Sequence, residues 1–326
     1  MKKLFLTLLF SLSLFASDIV VTIKPLYSLV QSVLGDTQKA TLLLNGNYSI
    51  HTFSLKPSHM RALSNAKVIF YIDEHLETFM ENAIEDKNIR AQKISALSAK
   101  GIELLSLRES GDWEQHEHEE DHHDEHDDHD EEEKDHHADH DDEDEHHDED
   151  GHDNEHDLHI WLDTHNAQAI VKQIVTVLSK YSSKDAKTYR TNGDKIIAQI
   201  KKLEKELATR SKAITNKPYI VFHDAYQYME TQWKLDAVGS IHIDPSLQIS
   251  AKKIRDIRAK LDKHKAKCIL KEPQFAAQFD KTIATIVQKR KINTGILDPM
   301  GEHLESVDFS YTQMLRDNFT NLEKCL

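Results

Sequence analysis

The sequence contains few cysteines, glycines and prolines, which are frequent in disulfide-rich proteins and in the glycine-rich loops of nucleotide-binding proteins. Its 326 residues include only two cysteines, nine glycines and six prolines. So little glycine and proline agrees with a helix-rich chain. No G-x-G-x-x-G or P-loop motif occurs, which argues against binding of dinucleotides or nucleoside triphosphates. The length suggests two domains with real hydrophobic cores, so the fold does not depend on covalent or metal cross-links.

Long apolar runs are absent except at the N-terminus. Lys2 and Lys3 precede an apolar run from Leu4 to Phe15, and the small residues Ala16 and Ser17 follow. This pattern predicts a secretory signal peptide over residues 1–17 and an exported protein. An amphipathic first helix is the alternative. No later segment approaches about 18 apolar residues, so we expect a soluble mature chain without membrane insertion.

The two cysteines, Cys268 and Cys325, lie too far apart in sequence for a zinc ribbon. In an exported protein, an even number of cysteines suggests a disulfide. The chain-entropy model gives about 4 kcal/mol as an upper guide to what such a long closed loop contributes to stability.

Charge is distributed very unevenly. The whole chain has 41 Lys and Arg against 56 Asp and Glu, but residues 114–157 alone hold 26 acidic residues, one lysine and 13 histidines. This insert therefore carries −25, and the rest of the chain carries 30 acidic against 40 basic residues. The insert has almost no apolar residue, so we expect it to be disordered. Its charge repels phosphate, and nucleic acid is not an expected partner.

Strand and helix patterns alternate on both sides of the insert. Apolar strands predicted at 18–23, 40–44 and 67–72, with helices between them, are typical of βαβ units in a parallel sheet. One long helix is predicted over 182–214, and its apolar repeat is too short to favour a coiled coil. Alternation of strands and helices resumes after Pro218. We therefore expect an α/β fold with an N-terminal lobe over 18–181, a connecting helix, and a C-terminal lobe over 215–326.

Four polar residues follow predicted strands or open a helix: His51, His159, His223 and Asp298. Ligands of open α/β sheets bind beyond the carboxyl ends of strands, so these side chains are expected to face one cleft. Three imidazoles and one carboxylate suit Zn²⁺, whereas Mn²⁺ prefers more oxygen ligands. Taken singly, a histidine at a strand end is more often a surface or capping residue, but three in equivalent positions favour a shared metal.

Several stretches resemble one known family, the zinc-binding periplasmic components of ABC-type zinc importers, which are the ZnuA type of TroA-like solute-binding proteins. The matching stretches follow the family's order and cover nearly the whole mature chain. They are His51–Ser58, His159–Leu162, Phe222–Tyr228, Cys268–Phe275 and Leu297–Gly301. The acidic, His-rich insert between the first two ligand stretches also matches.

The resemblance implies two β/α lobes joined by a long helix, with Zn²⁺ bound by His51, His159 and His223. Manganese-carrying relatives usually have Glu at the third position, which favours zinc here. Several zinc members have an acidic ligand just before the first histidine, but this chain has Ile50 there. The fourth ligand is then Asp298 or water, and we favour Asp298. The resemblance also implies a Cys268–Cys325 disulfide.

As a function, the resemblance implies a periplasmic, non-enzymatic protein that captures Zn²⁺ and delivers it to an ABC permease in the inner membrane. We expect a monomer. A zinc hydrolase is an alternative, but no H-E-x-x-H motif occurs and no carboxylate is obviously placed as a general base. A third alternative is a storage or buffering protein that works through the insert.

The insert offers weak, exchangeable sites for metal on neutral imidazoles, and its charge concentrates cations. We interpret it as a metal collector or sensor, with a solvated acidic spacer as the alternative. Its histidines are His116, His118, His122, His123, His126, His129, His136, His137, His140, His146, His147, His152 and His156.

Overall fold

The computed structural model describes residues 17–46, 48–108, 113, 156–241, 250–304 and 310–326, without the side chains of 276–279. The predicted signal peptide lies outside the described residues except for Ser17, and so do all insert histidines except His156. The predicted fold class is confirmed: two α/β lobes with parallel sheets are connected by a long helix. No helix in these ranges has the length and apolar character needed to cross a bilayer.

The N-terminal lobe alternates strands and helices up to the long helix. Its strands are β1 (Ile19–Val21), β2 (Thr41–Leu42), β3 (Val68–Tyr71), β4 (Gln92–Ser95), β5 (Leu105–Ser106) and β6 (His156–Asp157), and its helices are α1 (Lys24–Leu34), α2 (Pro57–Asn65), α3 (Glu81–Glu85) and α4 (Thr164–Tyr181). Strands β1 to β4 form a parallel sheet in the order β2-β1-β3-β4. Strands β5 and β6 form a separate antiparallel pair, which closes the base of the insert.

The long helix and the C-terminal lobe follow. They comprise α5 (Ala186–Arg210), β7 (Tyr219–Val221), α6 (Gln227–Trp233), β8 (Ala237–Ser240), α7 (Ala251–His264), β9 (Cys268–Lys271), α8 (Pro273–Val287), β10 (Asn293–Ile296) and α9 (Tyr311–Cys325). The second parallel sheet has the order β10-β9-β7-β8. Numbered from its own first strand, this is the strand order of the N-terminal sheet.

Each sheet divides its side chains between two cores, because successive residues of a strand point to opposite faces. Ile19 and Val21 of β1 enter a core shared by both lobes and α5, whereas Val20 packs in a core of the N-terminal lobe alone. In β7, Val221 faces the shared core and Ile220 a core of the C-terminal lobe alone. The shared core therefore joins the lobes through buried apolar contact.

Helix α5 is positioned by its buried apolar face and by a close contact with helix α4. Tyr189, Ile196, Ile200, Leu203 and Leu207 recur at helical spacing and are buried. The helix is extended at both ends by single 3₁₀ turns, so helical structure runs from Ser183 to Ala213. Gly193 weakens a helix by propensity, but here a Cβ would collide with Val175 of α4, so glycine permits the two helices to pack closely.

Several elements were missed by the sequence patterns because they are short or half-exposed. Strand β4 reads Gln-Lys-Ile-Ser, without apolar alternation, and β8 contains a glycine. The β5–β6 pair is two residues long on each side and lies at the edges of the acidic insert. Strand β6 thus consists of His156 and Asp157, the last two residues of the predicted insert.

Direct bonds between the lobes reinforce the shared core. Trp161 Nε1 donates to the carbonyl of Pro299 at 2.8 Å, and the hydroxyl of Tyr311 donates to the carbonyl of Trp161 at 2.7 Å. Lys24 of α1 pairs with Glu302 at 3.4 Å, and both side chains are almost fully buried. In the C-terminal lobe, a disulfide connects Cys268 in β9 to Cys325 in α9.

Candidate metal centre

The three predicted histidines converge between the lobes. His51 sits in the loop between β2 and α2, where its backbone N–H donates to Ser49 Oγ at 3.2 Å. His159 lies two residues after the end of β6 and directly before a 3₁₀ turn. His223 lies just beyond the carboxyl end of β7. Parallel strands place their carboxyl ends at one edge of a sheet, and the two sheets present these edges to each other.

The three imidazoles form a nearly regular triangle. Their ring centroids are 5.6 Å apart for His51 and His159, 5.0 Å for His51 and His223, and 5.1 Å for His159 and His223. One ligand nitrogen from each ring lies within 4.8 Å of the others. Zn–N bonds of about 2.0–2.1 Å in a tetrahedron require nitrogens about 3.3 Å apart, so closure on the ion requires movements of at most about 1.5 Å.

Two of the histidines are almost completely buried where the three rings converge. His159 and His223 are only 7% and 8% exposed, respectively. Nε2 of His159 is inaccessible to solvent and makes no hydrogen bond within the described structure. A polar atom without a partner is costly to bury, so this nitrogen among three convergent imidazoles indicates a bound group. The donor set, three imidazole nitrogens, fits Zn²⁺.

Carboxylates fix the other ring nitrogen of two of these histidines. Asp157 Oδ1 lies 2.7 Å from Nδ1 of His159, and Glu272 Oε1 lies 3.3 Å from Nδ1 of His223. Both carboxylates are buried, and Glu272 also accepts a hydrogen bond from the hydroxyl of Tyr226 at 3.0 Å. A carboxylate on Nδ1 favours the proton on that nitrogen and leaves the lone pair on Nε2 for a metal.

Arg108 is a largely buried cation that lies among the carboxylates near the three histidines. Its guanidinium contacts Asp224 at 3.4 Å and forms a short ion pair with Glu230, and the ring of Trp113 stacks on it at 3.7 Å. Burial raises the pKa of Glu230 to about 7 although Arg108 opposes the shift, and burial also raises the pKa of Asp224. Three buried or half-buried carboxylates, Glu230, Asp224 and Asp157, lie around this arginine and make the region attractive to a divalent cation.

The pKa of His223 is raised. Burial by itself lowers this pKa, but the negative charge and hydrogen bond of Glu272, with smaller effects of Asp224 and Asp157, outweigh it. A proton and a metal ion compete for the same imidazole lone pair. Acidification therefore opposes metal binding at His223.

Asp298, the predicted fourth ligand, lies outside the three-histidine group. It is fully buried, and its carboxylate is engaged elsewhere. Oδ2 accepts from the backbone N–H of His303 at 3.1 Å and contacts Nδ1 of that ring at 2.7 Å, while Oδ1 accepts from the N–H of Met300 at 3.2 Å. Ile50, the residue just before His51, has no donor atom and is buried in the shared core. The structure thus brings together three histidines, and Asp298 holds the turn at 298–303.

Other residues near the site have local roles. Asp163 caps α4 by accepting from the N–H groups of His165 and Asn166. Trp161 packs 5.3 Å from the ring of His159 and excludes water from that side. His156 is half-buried in β6, and its Nδ1 has no hydrogen-bond partner in the described structure.

Sequence reasoning missed Asp157, Glu272 and Arg108. Asp157 was counted among the insert acids, Glu272 belongs to a matching motif without an assigned role, and Arg108 precedes the insert. The spacing Asp-x-His is a signal for Asp157, but the same spacing occurs at Asp73 and His75 away from the metal group. Only the fold distinguishes the two pairs.

The chain is similar to known zinc-uptake proteins over nearly its whole length. The family model described as "Zinc-uptake complex component A periplasmic", ZnuA, matches residues 19–325. The high-affinity zinc uptake system protein ZnuA of Brucella abortus is 38% identical over 94% of this chain and 91% of the relative. The protein of the same name from Haemophilus ducreyi is 31% identical over 95% of this chain and 93% of its own length.

A solved structure shares the fold. The Zn(II)-bound ZnuA-like domain of AdcA from Streptococcus pneumoniae superposes with a TM-score of 0.68 at 19% identity, over 94% of this chain and 97% of that domain.

Proposed function

Because the chain belongs to the ZnuA family of periplasmic zinc-uptake components, we propose that it captures Zn²⁺ between its lobes and delivers it to the permease of an ABC-type importer. The observation that carries the proposal is the triangle of His51, His159 and His223, whose ligand nitrogens lie within 4.8 Å of one another. The lobes contribute different members of this triangle, so binding is linked to their mutual position.

The ligand set consists of three neutral imidazoles, with water at the fourth position. Asp298 is committed to His303, and Ile50 has no donor atom. An open position also suits a zinc hydrolase, but Asp157 and Glu272 are hydrogen-bonded to ligand rings. Neither is free to serve as a general base for a metal-bound water. The family is one of transport components, which agrees with this chemistry.

Release of zinc is a local movement rather than a wide opening of the lobes. The shared core, the buried Lys24–Glu302 pair and the Trp161–Pro299 bond all resist separation. His159 is held by Asp157, whereas His51 sits on a loop and is the most exposed of the three. We therefore assign the opening movement to the His51 loop.

Calorimetry on the metal-free mature protein lacking residues 114–155 tests the binding site. We expect one tight zinc site, lost in His51→Ala and in His223→Ala. His165→Ala is the matched control, since His165 lies on α4 outside the metal group and its side chain is 58% exposed. Weak binding in the shortened wild type would contradict the proposal and favour storage in the insert.

Delivery to the permease is tested in cells that lack the chromosomal copy. Zinc uptake and growth in zinc-depleted medium are expected to return with the wild-type gene or with His165→Ala, but not with His223→Ala. Restoration by His223→Ala, expressed at equal level, would show that the three-histidine site is not the transported pool.

A further inference from the structure

We propose that Asp157 is a positioning residue, which holds the His159 ring in the tautomer and orientation that present Nε2 to the metal. This inference rests on the proposed function, because it assigns a role within the same site. Asp157 is placed by the two-stranded stem formed by β5 and β6, so this stem is part of the metal centre.

The contact between Asp157 and His159 determines which ring nitrogen carries the proton. Asp157 Oδ1 lies 2.7 Å from Nδ1 and also accepts from the backbone N–H of His159 at 2.9 Å. A carboxylate only accepts, so Nδ1 carries the hydrogen and the lone pair of the neutral ring is on Nε2. Nε2 is buried without a hydrogen-bond partner, on a ring whose centroid lies 5.6 Å from that of His51 and 5.1 Å from that of His223.

Burial makes this hydrogen bond strong and keeps water from replacing it. The side chains of His159 and Asp157 are 8% and 3% exposed. A fixed carboxylate also makes the opposite nitrogen more basic and therefore a better metal ligand. The ring is further confined by Trp161 on one side.

The stem anchors the backbone of Asp157 to both lobes. Asp157 pairs with Leu105 across the β5–β6 ladder. The hydroxyl of Tyr228 donates to the carbonyl of Asp157 at 2.6 Å and accepts from the N–H of Leu105 at 3.1 Å. Tyr228 lies on α6, five residues after the metal ligand His223. One tyrosine therefore ties the strand that positions His159 to the lobe that carries His223.

An internal comparison separates the positioning role from the local turn. Asp73 and His75 have the same spacing and nearly the same geometry, with Oδ1 at 2.7 Å from Nδ1 and 3.0 Å from the backbone nitrogen. His75 is 38% exposed and lies outside the metal group. The turn by itself is thus a common way to hold a histidine, and only at Asp157 does it aim a buried nitrogen at a ligand position.

The test compares zinc affinity in the full mature chain, measured by competition with a chromophoric chelator. Removing a carboxylate behind a metal ligand typically weakens binding about 10–100-fold, and we expect that loss for Asp157→Ala. Asp157→Asn keeps an acceptor oxygen without the charge and should weaken binding less. Asp73→Ala is the matched control and should leave the affinity unchanged.

A second readout distinguishes positioning from general damage. Nitrogen-15 NMR of the metal-free histidine rings, with His159 assigned by its loss in His159→Gln, should show hydrogen on Nδ1 in the wild type. Asp157→Ala should shift this tautomer toward hydrogen on Nε2, with circular dichroism unchanged, and Asp157→Asn should shift it less.

Two outcomes would overturn the proposal. One is an Asp157→Ala affinity within twofold of that of Asp73→Ala. The other is weakened binding while His159 keeps its hydrogen on Nδ1. Failure of the proposed function is distinguishable, because it would appear as full zinc affinity in His223→Ala, whatever Asp157 does.

Discussion

The two lobes have the same strand order but are stabilised by different means. In the N-terminal lobe, α1 is buried along nearly its whole length, from Lys24 to Leu34. In the C-terminal lobe, α7 buries only Ile257 and Leu261, and strand β10 is largely exposed. This lobe alone contains the disulfide. The same topology can therefore be stabilised in different ways. The N-terminal lobe relies on burial, and the C-terminal lobe relies partly on a covalent link.

Removal of the disulfide is expected to have the largest effect. Replacing Cys268 and Cys325 together with serine should lower the free energy of unfolding by about 4 kcal/mol, since the bond closes a long loop in the unfolded chain. Hydrogen exchange should accelerate in β9 and α9 more than in β1 and β3. Equal acceleration of hydrogen exchange in both lobes would show that they do not differ in their dependence on the disulfide.

Breaking the buried ion pair between the lobes is expected to cause the second largest loss of stability. Lys24→Met leaves Glu302 without its buried cation and should cost about 3 kcal/mol at pH 8. Burial raises the pKa of Glu302 to about 7, and Lys24 opposes that rise. An acid with a raised folded-state pKa loses stability as pH increases through that value, so the cost should shrink below pH 7.

Thermal unfolding of Lys24→Met at pH 6 and pH 8 measures this dependence, with the exposed Lys39→Met as the control. A cost independent of pH would contradict the assigned role of Glu302. Separation of one transition into two would show that this pair is what couples the lobes.

A buried acid of the N-terminal lobe offers a test with a smaller effect. Glu77 is fully buried, accepts from the N–H of Ile72 at 2.6 Å, and has a pKa raised to about 8 by burial. Its unfolded value is near 4.5, so the folded state binds more protons between these values and stability falls as pH rises from about 5 to 8.

Glu77→Gln retains the acceptor oxygen and should remove this dependence, which amounts to at most about 1.4 kcal/mol per pH unit for one proton. Urea denaturation at several pH values measures it. If the free energy of unfolding changes with pH equally in wild type and Glu77→Gln, Glu77 does not change its protonation on unfolding.

Deletion of residues 114–155 is expected to have the smallest effect on stability, within about 0.5 kcal/mol, because this segment contributes no core residue by its composition. Extending the deletion to 157 removes β6 and Asp157 and should weaken zinc binding. Calorimetry on the two deletions side by side tests this boundary. Equal affinity would show that the stem is dispensable.

Prediction from sequence succeeded where local pattern and burial agree. The apolar runs around Val20, Ile69 and Ile220 were predicted as strands, and the helical spacing from Tyr189 to Leu207 predicted the long helix. The edge strands β4 and β8 were missed, since their residues carry little apolar alternation and are held by pairing with the neighbouring strand.

The predicted site divides in the same way. His51, His159 and His223 were predicted to share one site because each follows a recognisable strand or motif, and the fold brings the three together. Asp298 satisfied the same rule, yet its carboxylate binds His303 instead. Position at a strand end brings a residue to the cleft but does not decide which way its side chain turns.

The sequence by itself determined the class of fold, the three histidines that converge and the cysteine pair, because these depend on periodicity, composition and motif order. Only the tertiary structure decided which carboxylates support the ligands and which bonds hold the lobes together. Asp157 and Glu272 reach their histidines, and Lys24 reaches Glu302, through contacts that depend on packing. The physical reason is that a buried hydrogen bond requires both partners at a distance and angle that no local spacing specifies.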